Sequence, residues 1–254
     1  MSRWSPISVV GSVAQSAVDV SCAARQAWLV NAWAERDWKT FDSHMRWLHE
    51  TISKYPRVAA YHRLLAFVQL LLDRPEEAAE EARVSLSLDP VSVSGHKILA
   101  DAYFHLRHLD WALGEYRATL DLKPSIEVAT DCHLKSADAY LSLGLLDQAT
   151  VAARMGLALQ PDSSIGHYVL GHVLSSRGSF QEAVDEFRMT VYLDPGNTEC
   201  HYDMGRNLEM LGRYAESVTC YAEFVRRSAD TPAYNPNLVD TARARIAELR
   251  SRLG

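Results

Sequence analysis

Five histidines, His62, His96, His133, His167 and His201, stand 34, 37, 34 and 34 residues apart and make up half of the ten in the chain. Imidazole can ligate a metal or carry a proton, so a regular ladder of it is the first place to look for chemistry. A shared zinc centre would need every ligand within ~2.0–2.1 Å of one ion. Equivalent positions on stacked helical units lie ~8–10 Å apart instead. Each ring is therefore expected to fill a large core slot of its own unit, with one nitrogen bonded to a backbone carbonyl or water. His105 and His108, one turn apart, could hold a metal weakly, but the simpler role is to offset the negative end of a helix. The four cysteines, Cys22, Cys132, Cys200 and Cys220, show neither a CxxC pair nor metal-ligand spacing. No GxSxG, HExxH, GxxxxGK[ST] or GxGxxG motif occurs. The chain is accordingly expected to be no enzyme and to need no cofactor or metal.

The interval belongs to the whole chain and not to histidine alone. Pro56, Pro90, Pro124, Pro161 and Pro195 share it, with the same extra three residues after Pro124. With units beginning at Arg25, Ala59, Val93, Thr130, Ser164 and Thr198, the eighth position is Ala32, Ala66, Ala100, Ala137, Gly171 and Gly205. Twelve residues further on stand His44, Ala78, Ala112, Ala149, Ala183 and Ser217. Small side chains facing each other across two helices let the backbones approach closely, so each unit reads as a helical hairpin. In the last unit His201, Met204, Gly205 and Leu208 form one stripe, and Ser217, Tyr221, Phe224 and Val225 form the other, over a second helix from Tyr214 to Arg226. Gly144, Gly178 and Gly212 hold the turn between the helices, where a left-handed residue ends the first one. Asp73 and Arg107 replace them earlier, and those two turns are expected to be less regular or more strained.

A 34-residue period with two small positions and a terminal proline resembles the tetratricopeptide repeat (TPR), over residues 25 to 229. The resemblance implies an all-α, right-handed α-solenoid of helix-turn-helix units. The units are 25–58, divergent because His44, Asn31 and Glu35 replace small or core residues, then 59–92, 93–129 with an extended linker, 130–163, 164–197 and 198–231. Ser125 is the candidate cap for the lengthened entry to the unit at Thr130. Pro236 opens a capping helix spanning 235–254, with Leu238, Ala242, Ile246, Leu249 and Leu253 on its packed side. Arg243, Arg245, Glu248, Arg250 and Arg252 lie opposite, and such an end helix solvates a repeat array.

In that family the first helices line a concave groove for extended peptides or partner helices, mainly from the second, fifth, ninth, twelfth and thirteenth positions. Carried over here, the groove comprises Leu29, Trp33, Arg63, Phe67, Leu70, Leu71, Lys97, Asp101, Phe104, Asp138, Tyr168, His172, Tyr202 and Arg206. It is apolar and aromatic at its amino-terminal end, acidic in the middle and mixed beyond. A clamp for a terminal carboxylate, which that family builds from Lys and Asn, is not matched, because Phe67 and Asp101 stand there and Asp131 adds repulsion. The asparagine ladder of the glycosyltransferase arm is likewise replaced, by Leu64, Ile98, Lys135, Val169 and Asp203.

The expected function is a non-enzymatic adaptor that takes a peptide or helix of a protein partner in this groove. The alternatives are a self-associating structural unit and an accessory subunit of a separate enzyme. A net charge of −6, with basic and acidic residues interspersed, argues against nucleic acid as a partner. No stretch of about 18 apolar residues occurs, so no transmembrane helix is expected. Residues 1–24 are either a helical cap or a weak leader. Arg3 precedes a mildly apolar run from Ile7 to Val18, and Asp19 stands where a lipoprotein signal before Cys22 carries an aliphatic residue. The spacing of Val10, Val13, Ala17, Val20, Ala24 and Ala27 predicts instead an amphipathic helix packed on the first unit. The chain is expected to be cytoplasmic with reduced thiols, export through the weak leader being the alternative.

Overall fold

The computed structural model describes residues 6–229 and 236–253, with the side chains of residues 6–17, 19 and 20 outside the description. Among the described residues there are thirteen α-helices and no strand. They are α1 (Pro6–Ala34), α2 (Trp38–Lys54), α3 (Ala59–Leu71), α4 (Pro75–Leu88), α5 (Val93–His105), α6 (Leu109–Asp121), α7 (Ile126–Ser142), α8 (Leu146–Leu159), α9 (Ser164–Arg177), α10 (Phe180–Leu193), α11 (Glu199–Met210), α12 (Tyr214–Ser228) and α13 (Pro236–Leu253). Each odd-numbered helix from α1 to α11 pairs with the one after it, and these pairs follow the 34-residue interval. The chain forms two compact units, 1–124 and 125–254.

The small positions close the hairpins. Ala66, Ala78, Ala100, Ala112, Ala137, Ala149 and Ala183 are completely buried, as is Ser217, whose hydroxyl donates to the Gly205 carbonyl at 2.8 Å. At two hairpins the eighth position must be glycine. A Cβ on Gly171 would lie 2.6 Å from the Phe187 ring, and one on Gly205 would lie 2.8 Å from the Tyr221 ring.

All six hairpin turns repeat one hydrogen-bond pattern, two carbonyls of the first helix being taken up by the residue in the left-handed conformation and the one after it. Gly144 N–H donates to Leu141 and Leu145 N–H to Tyr140; Asp73 N–H donates to Leu70 and Arg74 N–H to Gln69. Asp73 (φ 56°) and Arg107 (φ 61°) therefore keep the regular turn, and the expected departure takes the form of backbone strain. Arg36 (φ 57°) holds the same place after α1. Ser125 caps α7, its hydroxyl accepting from the Val128 N–H, and the three extra residues lengthen that helix at its start.

Two expectations at the amino-terminal end need correction. The division after residue 24 falls inside α1, which runs unbroken from Pro6 to Ala34. Its packed stripe has a different phase: Cys22, Leu29 and Ala32 are buried with Val18 beside them, whereas Ala24 and Ala27 are exposed. The side chains of Val10, Val13, Ala17 and Val20 lie outside the described residues. Small residues mark a stripe poorly, and Leu29, the large apolar side chain, sets the rotation by burying against Phe41, Leu48 and Leu65. In the same hairpin His44 takes the small position half-buried, with Arg25 Nη1 donating to its Nδ1 at 3.0 Å. The carboxy-terminal helix α13 packs on α12 through Ala242 and Leu249, with Leu238 and Ile246 partly buried; Leu253 is exposed.

Candidate interaction faces

The first helices of each unit present one face, and the two faces differ. In residues 1–124 it carries Trp33, 39% exposed, and half-buried Arg63, Phe67, Leu70, Leu71, Lys97 and Phe104. Leu29, expected there, is buried in the core. Asp101 is also buried, because the Tyr116 hydroxyl donates to it at 2.8 Å from the second helix and Lys97 pairs with it at 2.8 Å from the preceding turn. Arg63 donates to the Ser92 hydroxyl at 3.2 Å, which ties α3 to the cap of α5. Phe67 and Leu70 also pack against the hairpin cores, so the open apolar surface is narrower than their side-chain sizes suggest.

In residues 125–254 the face is aromatic and acidic. Asp138 and Arg206 are exposed, and Tyr168, His172 and Tyr202 are half-buried. Tyr168 and His172 meet edge to face with centroids 4.5 Å apart, and His172 meets Phe187 at 5.3 Å. Both converge on the buried carboxylate of Asp203: the Tyr168 hydroxyl donates at 3.3 Å and His172 Nε2 stands at 3.4 Å. Glu199 lies 3.4 Å from the same hydroxyl. Burial, with the Asp203 and Glu199 charges, pushes the Tyr168 phenol far above its ordinary range, so it is a hydrogen-bond donor throughout physiological pH. Tyr202 leans on Tyr221 and Phe224 at 5.4 and 5.3 Å. Asp203 was visible in the sequence only as a missing asparagine, and its convergence with Tyr168 and His172 comes from α9 and α11 lying side by side.

The histidine ladder is bonded more fully than expected. His62 Nδ1 meets Glu81 at 2.7 Å, His96 meets Glu115 at 2.6 Å, and His167 meets Glu186 at 2.6 Å. The other nitrogen of each ring meets the carbonyl of Pro56, Pro90 or Pro161, at 3.0, 3.1 and 3.0 Å. Each histidine thus clasps the second helix of its hairpin to the turn that precedes the first. The glutamate nineteen residues on was the signal in the sequence, and the recurring proline was the other half of it. His133 and His201 lack that glutamate, having Ala152 and Cys220 instead. Burial lowers both of their proton affinities below the ordinary histidine range. The remaining pair separates: His105 ends α5, while His108 precedes α6 and stacks with Tyr103 and Trp111 at 6.3 and 5.0 Å. Among the described residues no three His, Cys, Asp or Glu side chains converge as metal ligands. No described helix is long and apolar enough to cross a membrane.

Residues 134–198 match the tetratricopeptide repeat family model. Over that segment the chain is similar to the tetratricopeptide repeat (TPR) family. The structure is similar to that of YrrB, described as a TPR protein with an unusual peptide-binding site (TM-score 0.60, 15% identity, covering 78% of this chain and 97% of that one). It is similar also to MamA from Desulfovibrio magneticus RS-1 (TM-score 0.62, 15% identity, 69% and 97%). A third likeness is to TTC0263, a thermophilic TPR protein in Thermus thermophilus (TM-score 0.56, 20% identity, 72% and 98%). No curated protein matches the chain in sequence. At these identities the neighbours establish the fold, and TPR folds in general serve as protein–protein interaction scaffolds.

Proposed function

We propose that this protein is a non-enzymatic adaptor that binds a peptide or helix of a protein partner along its first-helix faces. The observation that carries the reading is the pairing of surface with chemistry. Trp33 projects from the amino-terminal face with Phe67 and Phe104 half-open near it in the repeat order, which suits an apolar anchor. The carboxy-terminal face, with Asp203, Glu199, Tyr168 and Tyr202, suits a basic or hydroxyl-bearing segment. The adaptor is taken to work in the cytoplasm, the compartment that suits four cysteines with neither a CxxC pair nor metal-ligand spacing. Replacing Trp33 and Phe67 by alanine should release partners held by the wild-type chain while the helical signal stays intact, with some loss in melting temperature because Phe67 also packs on two hairpin cores. Retention of every partner by the folded double variant would contradict the reading.

A second reading is self-association. It is favoured by large apolar side chains exposed on second helices, Trp111 at 61%, Val151 at 59% and Tyr192 at 78%. Mass that rises with concentration and is abolished by Trp111→Ser or Tyr192→Ser would support it; a constant monomer mass would remove it.

A further inference from the structure

The repeated clasp exposes a place where it is unfinished. In three hairpins the ladder histidine receives a glutamate carboxylate from the second helix and a proline carbonyl from the preceding turn. At His201 both partners are gone. The residue nineteen further on is Cys220, too short and too weak an acceptor to stand in for Glu186 or its counterparts. The Pro195 carbonyl is taken by Arg227, where the other three clasped units carry Leu88, Leu122 or Leu193. His201 is only 8% exposed, and its Nε2, the nitrogen that meets the proline carbonyl in the finished clasps, is buried without a hydrogen-bond partner; the carboxylate of those clasps meets Nδ1, on the side where Cys220 stands here. A buried polar atom left in that state is costly. At His133, by contrast, Ala152 fills the corresponding place as part of a packed core.

Where the carboxylate is missing there is a cavity of about 710 Å³ lined by both His201 and Cys220. Met204, Leu208, Val218 and Ala222 give it apolar walls, and Arg188, Arg226 and Arg250 stand around them. Glu216 and Glu223 also line it, but both are engaged by arginines: Glu216 by Arg213 at 2.6 Å, Glu223 by Arg226 and Arg227 at 2.6 Å. Burial first and Arg227 second depress the proton affinity of His201, with Glu223 acting in the opposite sense and Arg226 reinforcing the fall. The surroundings of the ring are thus poor in available negative charge.

The geometry points to a ligand site here: the cavity takes a small apolar monocarboxylic acid, whose carboxylate occupies the place that Glu81, Glu115 and Glu186 fill in the finished clasps. The tail would lie against Met204, Leu208, Val218 and Ala222, and Arg250 would add its charge; Arg226 and Arg188 are already paired with Glu223 and with Asp185 and Glu216. This site is distinct from the first-helix faces and does not depend on the adaptor reading.

The test uses the full chain with sodium octanoate, octan-1-ol and acetate as probes, read by thermal melting and by the ring proton signals of His201. Octanoate should raise the melting temperature in a dose-dependent way and shift the His201 signals, with octanol and acetate each weaker by about tenfold or more. Cys220→Glu supplies the missing carboxylate from within and should abolish the octanoate response. His201→Phe fills the same volume without a ring nitrogen and should weaken octanoate by a similar factor, which keeps the test open if Cys220→Glu fails to fold. Equal responses to octanoate and octanol, an unmoved His201 signal, or full binding by either folded variant would overturn the proposal.

Discussion

Gly171 lies against the ring of Phe187 so closely that a Cβ there would come within 2.6 Å of it. The glycine of α9 and the phenylalanine of α10 are therefore one packing decision written at two positions. Gly171→Ala should destabilise the protein by about 1–3 kcal/mol through overpacking, and Phe187→Leu in the same chain should restore part of the loss. Gly114, with nothing within 4 Å of its would-be Cβ, is the internal control. Gly114→Ala should stabilise by about 0.5–1 kcal/mol. Chemical denaturation of the three variants checks both signs. The pair Ala100→Leu and Ala137→Leu should likewise destabilise, since both alanines are fully buried in their hairpin seams.

Left-handed backbone at residues with side chains is strain that glycine relieves. Asp73 (φ 56°) and Lys123 (φ 54°) should both yield more stable proteins as glycine, by about 1 kcal/mol. Lysine should gain more than aspartate, which tolerates that conformation better. Unchanged or lower melting temperatures for both would show that the strain is relieved elsewhere.

The clasps are expected to act as coupled pairs. A double-mutant cycle between His96→Phe and Glu115→Gln should give a coupling of about 1 kcal/mol, because the contact is a short hydrogen bond at 2.6 Å with both partners half-buried. Additive losses would mean the contact contributes no more than shape.

His133 gives the pH dependence a definite sign. Burial holds its proton affinity below the ordinary value of 6.5 in the folded state, so as pH falls the unfolded chain takes up the proton first. The stability that neutral His133 allows is present above that value and is lost on acidification, levelling off below the depressed folded value. His133→Phe should therefore lose less stability than the wild type between pH 7 and pH 5, measured by denaturation at each pH.

Much of the hairpin array was legible because its determinants are local and periodic. Ala66 to Gly205 at the eighth position, the glycine turns and the Ser125 cap each act within a few residues of the backbone they shape. The amino-terminal end was misjudged because alanine and valine are ambiguous markers of rotation, and one large side chain, Leu29, overrode them. Asp101 belongs to the groove by its repeat position, but the Tyr116 hydroxyl, fifteen residues on, and Lys97, one turn before, hold it inward. The same limit hid the clasps. The glutamate nineteen residues after His62, His96 and His167 is a periodic signal, but its contact with the ring forms only where two helices lie side by side.

The central claim is that the first-helix face, not the second-helix face, receives a partner. A photo-crosslinking phenylalanine analogue placed at Phe67, and separately at Trp111, tests it in cells. The account predicts adducts to another protein from position 67 and none from position 111. Adducts from position 111 alone, whether to other proteins or to further copies of this chain, would contradict it.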